Sequence, residues 1–485
     1  MNRADIEKPG ELLYLCFHKD TIHMQEDTIC AIGSPPGQGA IAIVRISGPA
    51  SFKALGQICS PQKAGKKLEE VPPGKMVRVW IRDGEAMLDD GMVCRYLSPH
   101  SYTGEDMAEI FCHGSAYIQQ RLLQLLIACG VRLARPGEFT QRAFLNGKMD
   151  LSQAEAVADL IASSSGASHR LAMHQMRGGF SSEIAVLRKE MLHFVSLLEL
   201  ELDFSEEDVQ FADRSELTAL LDQVIEKIRT MARSFASGQA IKNGIPVVIA
   251  GLPNVGKSTL LNTLLNEDRA IVSEIPGTTR DTIEDTLHIE GYLFRIIDTA
   301  GLRHSKDEIE AIGIRKTREK LRTARIVLLV IDLTEASSEI PGEIKALQLD
   351  KEQQIILVAN KADKIPEEDL KKKVSELEQL NAGTVIPISA KKQNNLDLLR
   401  KELVNRAQSL TEGQDVLVTN LRHFEALDKA RQALERAGTG LKEGIPTDLV
   451  AQDIREAMHY LAEITGEITT DEILGNIFKN FCIGK

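Results

Sequence analysis

The tightest constraint on this chain is the run "GLPNVGKST", Gly251 to Thr259, set between the apolar "IPVVIAG" and the helical pattern "LLNTLL". Glycines at such a point let backbone N–H groups turn inward around phosphate oxygens at a helix start. Lys257 supplies a cation to the β and γ phosphates, and Ser258 an oxygen to magnesium. A loop of this kind works only between a parallel strand and the helix that covers it. The surrounding chain meets that requirement. From Ile241 to about Ala407 the runs "IPVVIAG", "YLFRIIDTAG", "RIVLLVIDLT", "QQIILVANKAD" and "TVIPISAKK" alternate with helical patterns. That alternation predicts a parallel sheet with helices on both faces.

Three further loops fall at the ends of those strands. "DTAG", Asp298 to Gly301, stands where a magnesium-linked aspartate and a γ-phosphate-sensing glycine belong. "NKAD", Asn360 to Asp363, ends a later strand, and "SAK", Ser389 to Lys391, follows where a second base-contact loop would close the pocket. The Asp363 carboxylate can accept from both the ring N–H and the amino group of guanine, an edge that adenine reverses. A site built on such bonds rejects the wrong base by roughly 10⁴-fold, because its carboxylate would otherwise be left unpaired. Four elements in this order on five strands predict GTP with magnesium. The candidate nucleotide contacts are Asn254, Val255, Gly256, Lys257, Ser258, Thr259, Ser273, Glu274, Ile275, Pro276, Gly277, Thr278, Thr279, Asp298, Thr299, Ala300, Gly301, Asn360, Lys361, Asp363, Ser389, Ala390 and Lys391.

At 485 residues the chain exceeds one compact core, and its length suggests roughly three domains. Residues 27–146 mix short apolar runs with turn signals and read as a small α+β domain. Residues 147–240 and 410–485 repeat apolar residues at helical spacings, as in "DLSQAEAVADLIASSS" and "LVAQDIREAMHYLAEITG". Each helical segment would expose an apolar stripe alone, so one discontinuous helical domain is expected, with an α/β domain at 241–409 inserted into it. Residues 1–26 form an extension of unknown role without a secretory core, and Met24 is an alternative start. The formal charge of −12 means that RNA contact would need a local basic surface. The seven cysteines lack the close pairs of zinc sites and fit a reducing cytosol. Six of them are expected to pack as small apolar residues, and no apolar run reaches membrane-spanning length.

The residue after "DTAG" is Leu302, where Ras-type proteins place a water-orienting glutamine. One reading is a slow switch awaiting an external activator. Another is an apparatus within the chain: the Asn254 side chain and the carbonyls of "SEIPGTTRD", Ser273 to Asp281, holding a dehydrated monovalent cation against the phosphates.

"GLPNVGKS", "PGTTRD", "DTAGLR", the helical "ARPGEFTQRAFLNGKMDLSQAEAVADLI" and the terminal "CIGK" together resemble the MnmE (TrmE) family of tRNA-modifying GTPases, over nearly the whole chain from Asp27. The resemblance implies a potassium-dependent GTPase whose two G domains meet across a homodimer. Potassium would take Asn254, Ser273, Ile275 and Thr278; magnesium would take Ser258 and Thr279. Glu310 would orient the attacking water, although as a bare sequence feature it reads as a solvated helix charge. The family binds a reduced folate, 5,10-methylene- or 5-formyl-tetrahydrofolate. With the FAD-carrying flavoprotein MnmG (GidA), in a heterotetramer, it modifies carbon 5 of the wobble uridine, position 34, of certain tRNAs in the cytoplasm. The group added is aminomethyl or carboxymethylaminomethyl. Arg45, Glu109, Lys148 and Lys485 would surround the folate; without the resemblance each reads as a surface ion. The rival reading is a ribosome-assembly GTPase of the Era or Der type.

The chain ends "FKNFCIGK". Gly484 and Lys485 do not suit a prenylation signal at Cys482. Two readings remain: a reactive thiol beside a one-carbon donor, since uridine C5 is a poor nucleophile until something adds at C6, or a docked tail with an inert thiol.

Overall fold

The structure is a computed structural model that describes residues 27–63, 65, 67–203, 214–269, 285–298, 321–335, 340–347, 353–412, 417–479 and 481–484. It divides into two compact units, one of residues 1–149 with 470–485 and the other of residues 150–469.

The first unit is built on a seven-stranded sheet. Its strands are β1 (Ile29–Ile32), β2 (Gly39–Ser47), β3 (Cys59–Pro61), β4 (Val77–Asp83), β5 (Ala86–Tyr96), β6 (Met107–Gly114) and β7 (Arg132–Leu133), with β5, β6 and β2 at the centre. Inward residues of these strands, among them Val44, Ile46, Ile81 and Ile110, meet Leu55, Leu122 and Leu126 of the two helices Ser51–Ile58 and Ala116–Ala128. This is the α+β arrangement expected from alternating runs around a single helical pattern.

A second feature of the unit is a charge cluster beneath β1. Glu138, 2% exposed, accepts from Arg132 Nη2 (2.6 Å), Arg142 Nη2 (3.1 Å) and the Arg135 N–H (2.7 Å), while Asp27 and Glu105 take further bonds from Arg142. Buried charges persist only when paired this fully.

In the second unit the helices Gly179–Asp203 and Arg214–Arg233 share one apolar core with Leu421–Glu443 and Thr447–Thr465. Phe180, Leu198, Leu221, Ile228, Leu427, Leu434, Ile454 and Leu461 fill it. Chain segments on either side of the inserted domain thus complete each other's apolar stripes. The inserted domain has a six-stranded sheet, in which β8 (Ile245–Ala250), β10 (Tyr292–Asp298), β11 (Ile326–Asp332), β12 (Gln354–Asn360) and Thr384–Pro387 run parallel. The strand β9 (Asp285–Ile289) pairs antiparallel at one edge and is too short and mixed to read from its sequence. Separate apolar clusters cover the two faces, as near-continuous apolar strands require.

The chain's end differs from the helical expectation. The last helix, Asp471–Phe478, and the tail belong with the first unit, not with the helical region that the pattern at 410–485 suggests. Phe478 is buried against Gly137, where a Cβ on the glycine would lie 2.9 Å from the Phe478 carbonyl oxygen. Helical periodicity marks an apolar stripe but not which surface covers it.

Candidate nucleotide and folate sites

The fully buried β8 delivers the loop 251–256 to the helix Lys257–Arg269. Gly251 and Gly256 have φ of +135° and +104°; a Cβ on the first would sit 2.3 Å from Val330 O, on the second 2.2 Å from Asn360 Nδ2. Only glycine fits such close approaches. Lys257 Nζ donates to the carbonyls of Gly251 and Leu252, both at 2.6 Å, and so lies folded over the loop. Ser258 and Thr259 are exposed at the helix start and Val255 is buried.

The loops 360–363 and 389–391 are laced together and to this loop. Asn360 Nδ2 donates to Val255 O (2.8 Å), and its amide oxygen accepts from the Ala390 N–H (3.0 Å). Lys361 Nζ donates to Asn254 O (3.1 Å) and also pairs with Asp332. Asn254 and Lys361 carry φ of +66° and +64°, left-handed conformations that cost other residues roughly 1–3 kcal/mol each and collect at functional sites. Ser389 Oγ donates to Asp363 Oδ1 (2.7 Å), and Lys392 Nζ lies 3.6 Å from the other oxygen. The Ser389 bond, aided by Lys392, holds the Asp363 carboxyl below its usual range and keeps it an acceptor. Lys391 is exposed beside it. Asp332 is the member of this constellation that sequence motifs missed; its place at the end of an apolar strand was the available signal.

Several expected contacts lie outside the described residues: Ser273, Glu274, Ile275, Pro276, Gly277, Thr278, Thr279, Thr299, Ala300, Gly301, Glu310 and Lys485. Asp298 is described only as the last residue of β10, two strands' pairing placing it opposite Ile249 at the mouth of the loop.

In the first unit Arg45 and Glu109 face each other across β2 and β6. Arg45 Nε donates to Glu109 Oε1 (2.9 Å) and Arg45 Nη1 to the carbonyl of Gly484 (3.2 Å). Tyr96, unforeseen from sequence, donates its hydroxyl to Glu109 Oε2 (3.3 Å). A hydrogen bond with Cys94, burial and the Glu109 charge all push the Tyr96 phenol upward, so it stays a donor. Gly484 has φ +95°, and a Cβ there would fall 2.1 Å from Ile32 O. The tail is therefore seated on the sheet by a glycine and an arginine. Cys482 is exposed, its carbonyl accepting from the Gly137 N–H (3.4 Å). Lys148 donates to Pro99 O (2.9 Å) and forms no described bond with the Arg45 group. Cys30, Cys59, Cys94 and Cys112 are buried and Cys129 is half-buried, in line with apolar packing, while Cys16 lies outside the described residues. Burial pushes the Cys30 and Cys59 thiols up to about 12 and Cys112 to about 11. Among the described residues no cluster of histidine, cysteine and carboxylate suits a transition metal, and no helix is long and apolar enough to cross a membrane.

A parallel sheet carrying this phosphate loop, with a base loop ending in Asp363, defines a P-loop GTPase domain, here set inside a helical domain. Residues 28–148 match the family model of the GTP-binding protein TrmE N-terminus, and residues 151–482 that of the MnmE helical domain. The chain is 53% identical over 467 residues to the tRNA modification GTPase MnmE of Bacteroides thetaiotaomicron, covering 95% of this chain and 100% of the relative. It is 48% identical to the protein of the same name from Flavobacterium psychrophilum, over 95% of this chain and 99% of the relative. Among solved structures, the G domain of the T. maritima FeoB iron transporter aligns at 28% identity and a TM-score of 0.26, over 34% of this chain and 99% of that one. The chain belongs to the MnmE family.

Proposed function

We propose that the chain is a potassium-dependent GTP hydrolase that modifies carbon 5 of the wobble uridine of certain tRNAs, with a reduced folate carrying the one-carbon unit. It works as a cytoplasmic homodimer, in a heterotetramer with the flavoprotein MnmG (GidA), which brings FAD. The coarser part, GTP hydrolysis in tRNA modification, follows from membership of the family. The observation that carries the reading is the lacing of the Asp363 loop onto the phosphate loop through Asn360 and Lys361. One rigid constellation then answers to guanine at one end and to triphosphate at the other.

The residues suit the groups the reading requires. Ser258, exposed in the first helical turn, would hold magnesium with Thr279. The carbonyl of Asn254 is committed to Lys361, while its exposed side chain has no hydrogen bond among the described residues. That leaves the amide oxygen for potassium, with Ser273, Ile275 and Thr278 as the other donors. Glu310 would orient water where Leu302 cannot. The cations supply electrostatic stabilisation to the phosphates. In the first unit, Glu109 suits the amino-pyrimidinone edge of a pterin, and Arg45, Lys148 and Lys485 suit carboxylates of a glutamate tail. Arg45 holding Gly484 supports a tail that brings Cys482 toward that ligand. The ribosome-assembly alternative loses ground because both flanking domains match the MnmE and TrmE models.

The test is wobble-uridine analysis of tRNA after reconstitution with the flavoprotein, folate, GTP and either potassium or sodium. Modification is expected only with potassium and GTP together. An unaltered base in the complete reaction overturns the modification reading, and equal hydrolysis in both salts overturns the cation reading. Cys482→Ser should keep hydrolysis and lose modification; full modification would leave the tail a docked, inert one.

A further inference from the structure

The geometry points to Asp332 as a positioning residue for GTP hydrolysis, acting through Lys361 on the backbone of the phosphate loop at Asn254. Its side chain, at the end of β11, is 3% exposed. A carboxylate buried that deeply persists only with partners. Its Oδ2 pairs with Lys361 Nζ, and its Oδ1 accepts from the Thr334 N–H (2.9 Å) and Oγ1 (2.6 Å). Burial raises the Asp332 pKa, but the bonds from Lys361 and Thr334 more than offset it and hold the carboxyl low.

What this anion does follows from where the ammonium goes next. Lys361 Nζ also donates to Asn254 O (3.1 Å), while its neighbour Asn360 donates to Val255 O (2.8 Å). Two consecutive side chains therefore hold two consecutive loop carbonyls. A peptide unit is planar and trans, so fixing the carbonyl of Asn254 fixes the N–H of Val255 in the opposite direction, and fixing Val255 fixes the N–H of Gly256. Those amides are the donors a phosphate loop presents. Asn360 is itself braced, its amide oxygen bound by the Ala390 N–H (3.0 Å). Lysine is a point charge on a flexible, well-hydrated stem and needs an anion to stay in one place. Asp332 is that anion. Lys361 and the Asn254 whose carbonyl it holds both sit at positive φ.

The inference rests on GTP hydrolysis, not on the potassium or folate readings. Asp332→Asn in the full chain keeps the shape and the Thr334 contacts but removes the charge. We expect kcat for GTP to fall about ten-fold, an indirect fraction of what losing an oxyanion donor costs. The preference for GTP over XTP should stay unchanged, since Asp363 and Ser389 are untouched. Lys361→Met should lower kcat as well, and the double variant should be no slower than the slower single, the signature of one shared path. Thr334→Ala, which leaves the carboxylate in place, should give a smaller loss in the same direction; it serves if Asp332→Asn fails to fold. A rate within about two-fold of the parent for a folded Asp332→Asn, losses that multiply in the double variant, or guanine preference falling with the rate would each overturn the assignment.

Discussion

Glu155 offers the sharpest energetic test of how the interrupted helical region is joined. It lies on Leu151–Ala162, before the inserted domain, and bonds to residues after it: Arg422 Nε (3.0 Å), Arg422 Nη2 (2.9 Å) and His423 Nε2 (2.6 Å). Arg422 also donates to the carbonyls of Glu463 (2.6 Å) and Ile464 (3.0 Å), so three helices meet at one carboxylate. Burial alone would raise the Glu155 pKa, but His423 and Arg422 bring it from 4.5 down to about 2. That difference of 4.5 − 2, at 1.36 kcal/mol per unit, favours the ionised folded form by about 3 kcal/mol. Glu155→Gln mimics the protonated carboxyl without changing its size. It should therefore destabilise the second unit by about 3 kcal/mol near neutral pH. The folded pKa lies below the unfolded one, so this contribution is full above pH 4.5 and is lost as pH falls toward 2, where parent and variant should converge. Urea unfolding followed by far-ultraviolet circular dichroism at several pH values reads the helices. The single tryptophan, Trp80 on β4, reports the first unit separately. A neutral-pH loss below about 1 kcal/mol, or a loss that persists unchanged to pH 2.5, would refute the reasoning.

Glu138→Ala removes the buried carboxylate shared by Arg132 and Arg142, which keep Asp27 and Glu105 as partners, and should cost about 1–3 kcal/mol, read as an earlier Trp80 fluorescence transition in urea. The bonds that lower the Glu138 pKa also mean that its contribution in the parent fades as acid protonates it. Gly484→Ala drives a Cβ into Ile32 O and should free the tail, so that folate binding weakens about ten-fold or more while GTP hydrolysis is retained. Asp363→Asn exchanges an acceptor for a donor and should weaken GTP binding by roughly 10³-fold or more while favouring XTP, measured by nucleotide titration.

Much of the candidate nucleotide site was legible because the chemistry it implies is local. The loop around Lys257 must join a strand to a helix, and the Asp363 loop must end a buried strand; apolar runs next to both carry that information. The mixed order of strands and helices likewise announced a parallel sheet inserted between helical segments. Asp332 and Tyr96 escaped notice because a lone aspartate or tyrosine has no periodic or motif signature until its partner arrives from elsewhere in the chain.

The sequence alone determined the glycine-rich loop, the strand-end motifs beside it and the family to which the chain belongs, since each depends on residue types at short, fixed spacings. Tertiary structure alone decided that Asp332 anchors Lys361 and that Gly484 is held by Arg45, 439 residues away. It also decided that the last helix belongs to the first unit, where Phe478 is buried against Gly137. Apolar periodicity specifies that a stripe must be covered, but which surface covers it is set by the shape and charge of distant parts of the chain.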